Sequence, residues 1–220
     1  MMTRTGYYRV LAPLLAGLLA ASLSLLVMEP GANGLVCGPS WSTVASSQHL
    51  RKPSAITTIA SNDIWVVGST KDIAHAIRTG AEHWNGNSWS QVPVPDVGTG
   101  ANALNGVDAL ASNNVWAVGY STSSGRQKTL IERWNGTQWR VVTSPNAGTS
   151  GDNALTSVDA LSSTNAWAVG SSRTSTSRKS LIQRWNGTSW TIVSSPNPGT
   201  LGNSLLGVKA TGPNDIWAVE

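Results

Sequence analysis

The sequence predicts an all-β chain built from one four-stranded antiparallel unit repeated about every fifty residues, the blade pattern of a β-propeller. Three observations predict it. First, "SNDIWVVGS" (61–69), "SNNVWAVGY" (112–120), "STNAWAVGS" (163–171) and "PNDIWAVE" (213–220) align without gaps, and their tryptophans, Trp65, Trp116, Trp167 and Trp217, lie 51, 51 and 50 residues apart. Second, a Trp-turn-Trp element keeps the same beat: "WNGNSW" (84–89), "WNGTQW" (134–139) and "WNGTSW" (185–190). Third, only 12% of the 220 residues are charged, with 22 Gly, 11 Trp and no Phe. A charged fraction well under the usual quarter, together with regular Val, Ile, Leu and Trp, describes a folded chain of short strands.

The N-terminus reads as a targeting segment. Arg4 and Arg9 precede an uncharged apolar run from Val10 to Met28, expected to be a hydrophobic helix. Its length falls between a typical signal-peptide core and a bilayer span, so residues 1–37 are expected to be a cleaved signal or a membrane anchor over 10–28. "ANG" (32–34) offers small residues at both positions a signal peptidase requires. The only cysteine, Cys37, excludes an intrachain disulfide, and Val36 before it argues against a lipid anchor. The remainder is expected to be secreted or to face the cell surface. Net charge is +4, with Arg4 and Arg9 in the leader, so there is no electrostatic case for nucleic acid.

Residues 38–53 are expected to hold a closing strand and a linker. "SWSTVASS" (40–47) is similar to "SWTIVSSP" (189–196), a fourth strand, and a lone fourth strand placed first would add to a last blade. The repeats then occupy 54–220, as 54–104, 105–154, 155–204 and a partial unit, 205–220. In the second copy the expected strands are Gly106–Leu110, Asn114–Gly119, Thr129–Trp134 and Thr137–Val142. Apolar runs this short, rich in β-branched and aromatic residues, suit strands. "NG" between the third and fourth strands signals a tight hairpin in which both central residues take positive φ. Trp134 then lies diagonal to Trp139 across a two-residue turn, or pairs with it across a four-residue loop. The ring is expected to be incomplete, three blades plus a half. "WAVE" replaces the recurrent glycine, and the chain is expected to be a truncated product that does not close into a monodisperse monomer. Trp65, Trp116 and Trp167 are expected at equivalent, largely buried positions.

A second strand ending in "WAVG", a third ending in an aromatic, a turn, a Trp and a Pro-containing loop resemble the kelch repeat and its galactose-oxidase-like relatives. The resemblance covers roughly residues 41–220. In place of kelch's two adjacent glycines stand single Gly68, Gly119 and Gly170. The family's copper-oxidase chemistry does not carry over. It requires tyrosine and histidine ligands and a cysteine crosslinked to tyrosine, whereas this chain has only Tyr120 beyond the leader, and Cys37 precedes the blades.

No residue pattern points to catalysis, a cofactor or a metal. His49, His75 and His83 share no repeat position, and His83 aligns with Arg133 and Arg184. Asp108 and Asp159 recur in strand one, with Lys209 at the same place in the fourth unit, and a turn or an inter-blade hydrogen bond explains them. Asn135 and Asn186 occupy N-G-T sequons but serve the hairpin first. No nucleophile–base motif, P-loop or dinucleotide fingerprint is present. The expected role is therefore binding. The segments joining strands two and three, Tyr120–Thr129 and Ser171–Ser180, read as long polar loops carrying Arg126, Lys128, Arg173, Arg178 and Lys179. These five cations could meet an extracellular protein or an anionic glycan. Two alternatives stand beside a binding or scaffold module: part of a glycan-directed hydrolase, lyase or oxidase whose active residues lie elsewhere, or a truncated product without independent function.

Overall fold

The computed structural model describes residues 6–11, 40–174, 176–198 and 202–220, and the chain divides into two units after Ser46. In the first unit β1 (Gly6–Leu11) pairs antiparallel with β2 (Ser40–Ala45). The expected closing strand is thus a strand, and within its own unit its partner is β1. Val10 and Leu11 belong to β1 and not to a helix; the rest of the expected apolar helix, the cleavage site and Cys37 lie outside the described residues.

The second unit is entirely β. Its first sheet is β3 (Lys52–Ala60), β4 (Asp63–Lys71), β5 (Ile77–Trp84) and β6 (Trp89–Val92). The second is β7 (Asn102–Ala111), β8 (Asn114–Ser123), β9 (Arg126–Trp134) and β10 (Trp139–Val142). The third is β11 (Asp152–Ser162), β12 (Asn165–Arg173), β13 (Arg178–Trp185) and β14 (Trp190–Val193). A two-stranded sheet follows, β15 (Gly207–Gly212) and β16 (Asp215–Val219). Each four-stranded sheet is an antiparallel meander in chain order. Among the described residues the second unit contains no helix, as the fifty-residue period requires. The first sheet begins at Lys52, two residues before the expected boundary at 54.

The sheets stack face to face through two apolar layers. Trp65, Val67 and Ala81 of the first sheet meet Leu104, Val107, Val115, Ala117, Leu130 and Trp139 of the second. Trp116, Val118 and Ile131 of the second meet Leu155, Val158, Ala166, Ala168, Leu181, Trp185 and Trp190 of the third. Strand β8 thus sends Val115 and Ala117 one way and Trp116 and Val118 the other. A strand sandwiched between two layers needs apolar residues at consecutive positions, which explains "VWAV". Gly119 ends that run for a steric reason. A Cβ there would stand 2.0 Å from the Ala103 carbonyl oxygen, and Gly68 and Gly170 face the same obstruction.

The hairpins hold a tryptophan pair in direct register, Trp84↔Trp89, Trp134↔Trp139 and Trp185↔Trp190. The four-residue alternative is therefore the one adopted, and the expected turn is shifted by one residue. Asn135 is not at positive φ; Gly136 alone is, at +97°. Asn135 instead caps the loop, its Oδ1 accepting from the Thr137 and Gln138 backbone N–H groups at 3.0 and 2.9 Å. The second and third pairs each receive the tryptophan of the preceding sheet. Trp65 lies 4.9 Å from Trp134 and 5.4 Å from Trp139, and Trp116 lies 5.2 and 5.3 Å from Trp185 and Trp190, between ring centroids.

Trp167 holds the same register position but is only half-buried, and Trp217 is 67% exposed. Arg184 lies over the Trp167 ring at 5.3 Å, and no tryptophan pair covers it. The three strand-two tryptophans expected at equivalent, largely buried positions do share one register position; Trp65 and Trp116 are fully buried there, and Trp167 is less so. Burial of this position depends on the neighbouring sheet.

Polar clasps join the first strands. Asp108 Oδ2 accepts from the Ala160 N–H at 2.8 Å, and Asp159 Oδ2 accepts from the Ala210 N–H at 2.8 Å. At the bulge in each first strand, the Asn105 amide donates to the Leu155 carbonyl and the Thr156 hydroxyl donates to the Leu205 carbonyl. The recurrent aspartates thus work between sheets, one of the two roles expected for them. Burial and the neighbouring Asp159 charge raise Asp108 above the ordinary carboxylate range, against the lowering effect of the Ala160 N–H.

Candidate functional site

The segments expected as long loops are strand continuations closed by tight turns. Strands β8 and β9 remain paired to Ser123↔Arg126, and β12 and β13 to Arg173↔Arg178. Ser124 and Gly125 take φ of 50° and 72°, so both central residues of the turn are left-handed. That geometry matches the twist of the flanking strands and needs only two residues. The cations are consequently fixed to sheet ends instead of being carried on flexible loops. The same face carries the linkers entering the first strands, since Asn102 pairs with Ser121 and Asp152 with Arg173.

On this face the second and third sheets enclose two adjoining clefts of about 460 and 400 Å³, which share Asp152 and Arg173. Thr122, Gly125 and Gln127 line one side of the larger cleft, and Ala154, Ser171 and Arg178 line the other. Arg126, Ser150 and Thr174 complete the smaller. Of the five cations singled out from sequence, Arg126, Arg173 and Arg178 therefore meet at one place. Lys128 and Lys179 do not line it. Asp152 was missed by sequence reasoning. Its Oδ1 accepts from the Gln127 N–H at 2.9 Å, which ties the sheets across the cleft floor, while the Arg126 guanidinium donates to the Ser150 carbonyl.

The electrostatics differ from those of the corresponding face of the first sheet. There Arg78, at the register position of Lys128 and Lys179, lies 2.9 Å from Asp72 and 3.8 Å from Asp96. The Ala76 N–H, with the Arg78 guanidinium and the Ala74 N–H, holds Asp72 below its ordinary value. In the later sheets the position of Asp96 is neutral. Asp96, Asn146 and Asn197 each accept the same backbone bond, from Thr79, Thr129 and Ser180 respectively, so the oxygen is retained and the charge is lost. Among the described residues no carboxylate forms an ion pair with Arg126, Arg173 or Arg178. Arg173 and Arg178 moreover stand directly opposite each other across the strand pair, an unfavourable placement for like charges.

Elsewhere the polar clusters serve the scaffold. Asp63 accepts from Ser112 through Oδ2 and bonds His83 through Oδ1, so the carboxylate stands between the hydroxyl and the imidazole. The His83 ring packs on Trp65 at 4.4 Å, where Arg133 lies over Trp116. Among the described residues no group of three or more His, Cys, Asp or Glu is placed to hold a metal ion. Among them, too, no helix is long and apolar enough to cross a membrane.

One buried group is electrostatically unusual. Glu82, Glu132 and Gln183 occupy the same place in the third strand of each sheet, all fully buried. Glu82 Oε1 accepts from the His49 and Leu50 N–H groups, and the Gln183 amide donates to the Pro145 carbonyl at 2.9 Å. Neither Glu132 oxygen has a hydrogen-bond partner among the described residues, and burial, reinforced by the Asp96 charge, pushes its pKa up to about 9. It is therefore a neutral acid at neutral pH.

Repeated four-stranded antiparallel sheets, packed face to face with their first strands adjacent, define a β-propeller-type repeat protein. No family model matches the chain, and no curated protein does. Among solved structures the chain is similar to YCF48 bound to D1 peptide, at 14% sequence identity and a TM-score of 0.41. The match covers 64% of this chain and 38% of that one, so this chain spans well under half the neighbour's length.

Proposed function

We propose that this chain is an exported binding or scaffold module of the β-propeller type, acting outside the cell or at its surface. It recognises its ligand through the face formed by the β8–β9 and β12–β13 turns and the inter-sheet linkers. The observation that carries this reading is that Arg126, Arg173 and Arg178, from two sheets, line two adjoining clefts that share Arg173, with no ion-paired carboxylate among the described residues. The apolar run Val10–Met28 after Arg4 and Arg9 supports export, with the N-terminal segment as the sole membrane connection. The repeat pattern resembles kelch in its "WAVG" and Trp-turn-Trp elements and departs from it in the single Gly68, Gly119 and Gly170. Cations held at strand ends lose little entropy on binding, which suits recognition more than steering alone.

The test is a panel of extracellular glycans and peptides probed with the full chain and two surface variants. One variant replaces Thr122, Gln127 and Ser171 with bulky residues; the other alters Thr137 and Thr188 in the Trp hairpins. Binding that is lost only in the first variant is the expected result. Binding that is lost only in the second would move recognition to the opposite face and overturn the reading.

A further inference from the structure

We propose that the cleft between the second and third sheets takes a carboxylated sugar of the uronic acid class, with its carboxylate on Arg173 and Arg178 and its hydroxyls on Asp152. The proposal rests on the reading of this face as the recognition surface, and it names the ligand chemistry of that surface.

Three features select this chemistry. Arg173 and Arg178 face each other across the strand pair with no carboxylate of the described residues paired to either, and both line the larger cleft. Two guanidiniums in that arrangement form a fork suited to a planar carboxylate, and an anion between them relieves their mutual repulsion. Asn146 and Asn197, which stand where the first sheet places Asp96, add no negative charge on this side of the later sheets.

Asp152 then narrows the class. It lines both clefts, and only its Oδ1 is committed, to the Gln127 N–H. An acid beside the arginine fork repels a polyanion such as an acidic peptide or a polyphosphate. It favours a ligand with one carboxylate and adjacent hydroxyl donors, as an acidic residue does when it accepts from a ribose hydroxyl. Thr122 and Ser171 add short hydroxyls on opposite walls.

The experiment is an amide chemical-shift titration of the full chain at low salt with D-glucuronate, D-glucose, inorganic sulfate and a tri-glutamate peptide. Glucuronate is expected to bind at least tenfold more tightly than glucose, with shifts centred on residues 122–127, 152–154 and 171–173. The R173A/R178A double variant is expected to lose that preference. R173K/R178K, which keeps the charge without the fork, is expected to retain only part of it. D152N keeps the bond to Gln127 and is expected to weaken glucuronate at least fivefold while leaving sulfate unchanged or tighter. Glucuronate no tighter than glucose, or a D152N effect equal for both anions, overturns the proposal. Tri-glutamate binding more tightly than glucuronate would make an acidic protein the partner and equally overturn it. Both arginines are exposed, and an unchanged thermal midpoint in the variants separates lost binding from lost fold. If glucuronate fails while panel binding still maps to this face, the recognition surface stands and only its ligand class falls.

Discussion

Trp116 meets Trp190 edge to face, with ring centroids 5.3 Å apart and planes at 88°, although the two residues belong to different sheets. The arrangement repeats one sheet earlier between Trp65 and Trp139, at 5.4 Å and 86°. The recurrent hairpin is therefore a socket as well as a clamp. Its two rings hold each other across the strand pair and receive a third ring from the sheet before. Edge-to-face pairs add about 0.5–1.5 kcal/mol beyond the burial of their area.

Trp116 is fully buried between Trp185 and Trp190, with the Arg133 guanidinium 4.9 Å from its ring centroid. Trp116→Ala is expected to cost about 3–5 kcal/mol, read as a lowered urea midpoint. Trp167→Ala, at the half-buried equivalent position, should cost clearly less. Equal losses would contradict the socket, because the two sites differ chiefly in whether a tryptophan pair covers them.

Glu132 gives the stability a definite pH dependence. Its carboxyl stays protonated in the folded chain up to a pKa of about 9, against 4.5 for the unreacted reference group. The folded state therefore binds one more proton than the unfolded state between those values. Stability from this group is fully present below about pH 4.5 and is lost progressively as pH rises to about 9, at about 1.4 kcal/mol per pH unit. Glu132→Gln should be more stable than the parent at pH 8 and show a flatter profile from pH 5 to 9. An unchanged slope would mean that Glu132 ionises normally in the folded chain.

Gly119→Ala tests the close approach of strands β7 and β8. The added methyl would sit 2.0 Å from the Ala103 carbonyl oxygen, so the strand must shift. A loss of about 1–3 kcal/mol is expected by chemical denaturation. Gly125→Ala, whose added methyl meets nothing within 4 Å, should cost only the strain of its positive φ of 72°.

Trp217, Val219 and Leu206 are large apolar residues exposed by 67%, 62% and 62%. Exposed large apolar residues promote association. The full chain is expected to gain mass with concentration in light scattering, and W217S/V219S to reduce that gain at least severalfold. Equal concentration dependence in both proteins would show that these residues do not drive association.

The sequence by itself determined the repeat. A fifty-residue beat of "WAVG" and Trp-NG-Trp fixes strand order, antiparallel pairing and the glycine positions, because each is a local consequence of backbone geometry and period-two alternation. The recurrence of Asp108 and Asp159 was legible too, as a turn or an inter-sheet contact, and the bonds to the Ala160 and Ala210 N–H groups decide for the contact. Tertiary structure decided the rest. It alone determined that Trp134 and Trp139 enclose Trp65, that Trp167 stays half-covered and that Glu132 is buried without a hydrogen-bond partner among the described residues. These outcomes depend on which sheet lies opposite, and no segment of about ten residues carries that information. The cleft divides the same way. Arg126, Arg173 and Arg178 could be picked out as charges in polar segments, but the sequence reads those segments as loops. Only the continued pairing to Ser123↔Arg126 and Arg173↔Arg178 fixes the arginines at sheet ends and sets Asp152 opposite Arg173. The physical reason is that a strand's length and a charge's neighbours are set by packing between sheets, which acts at sequence separations that local propensity cannot reach.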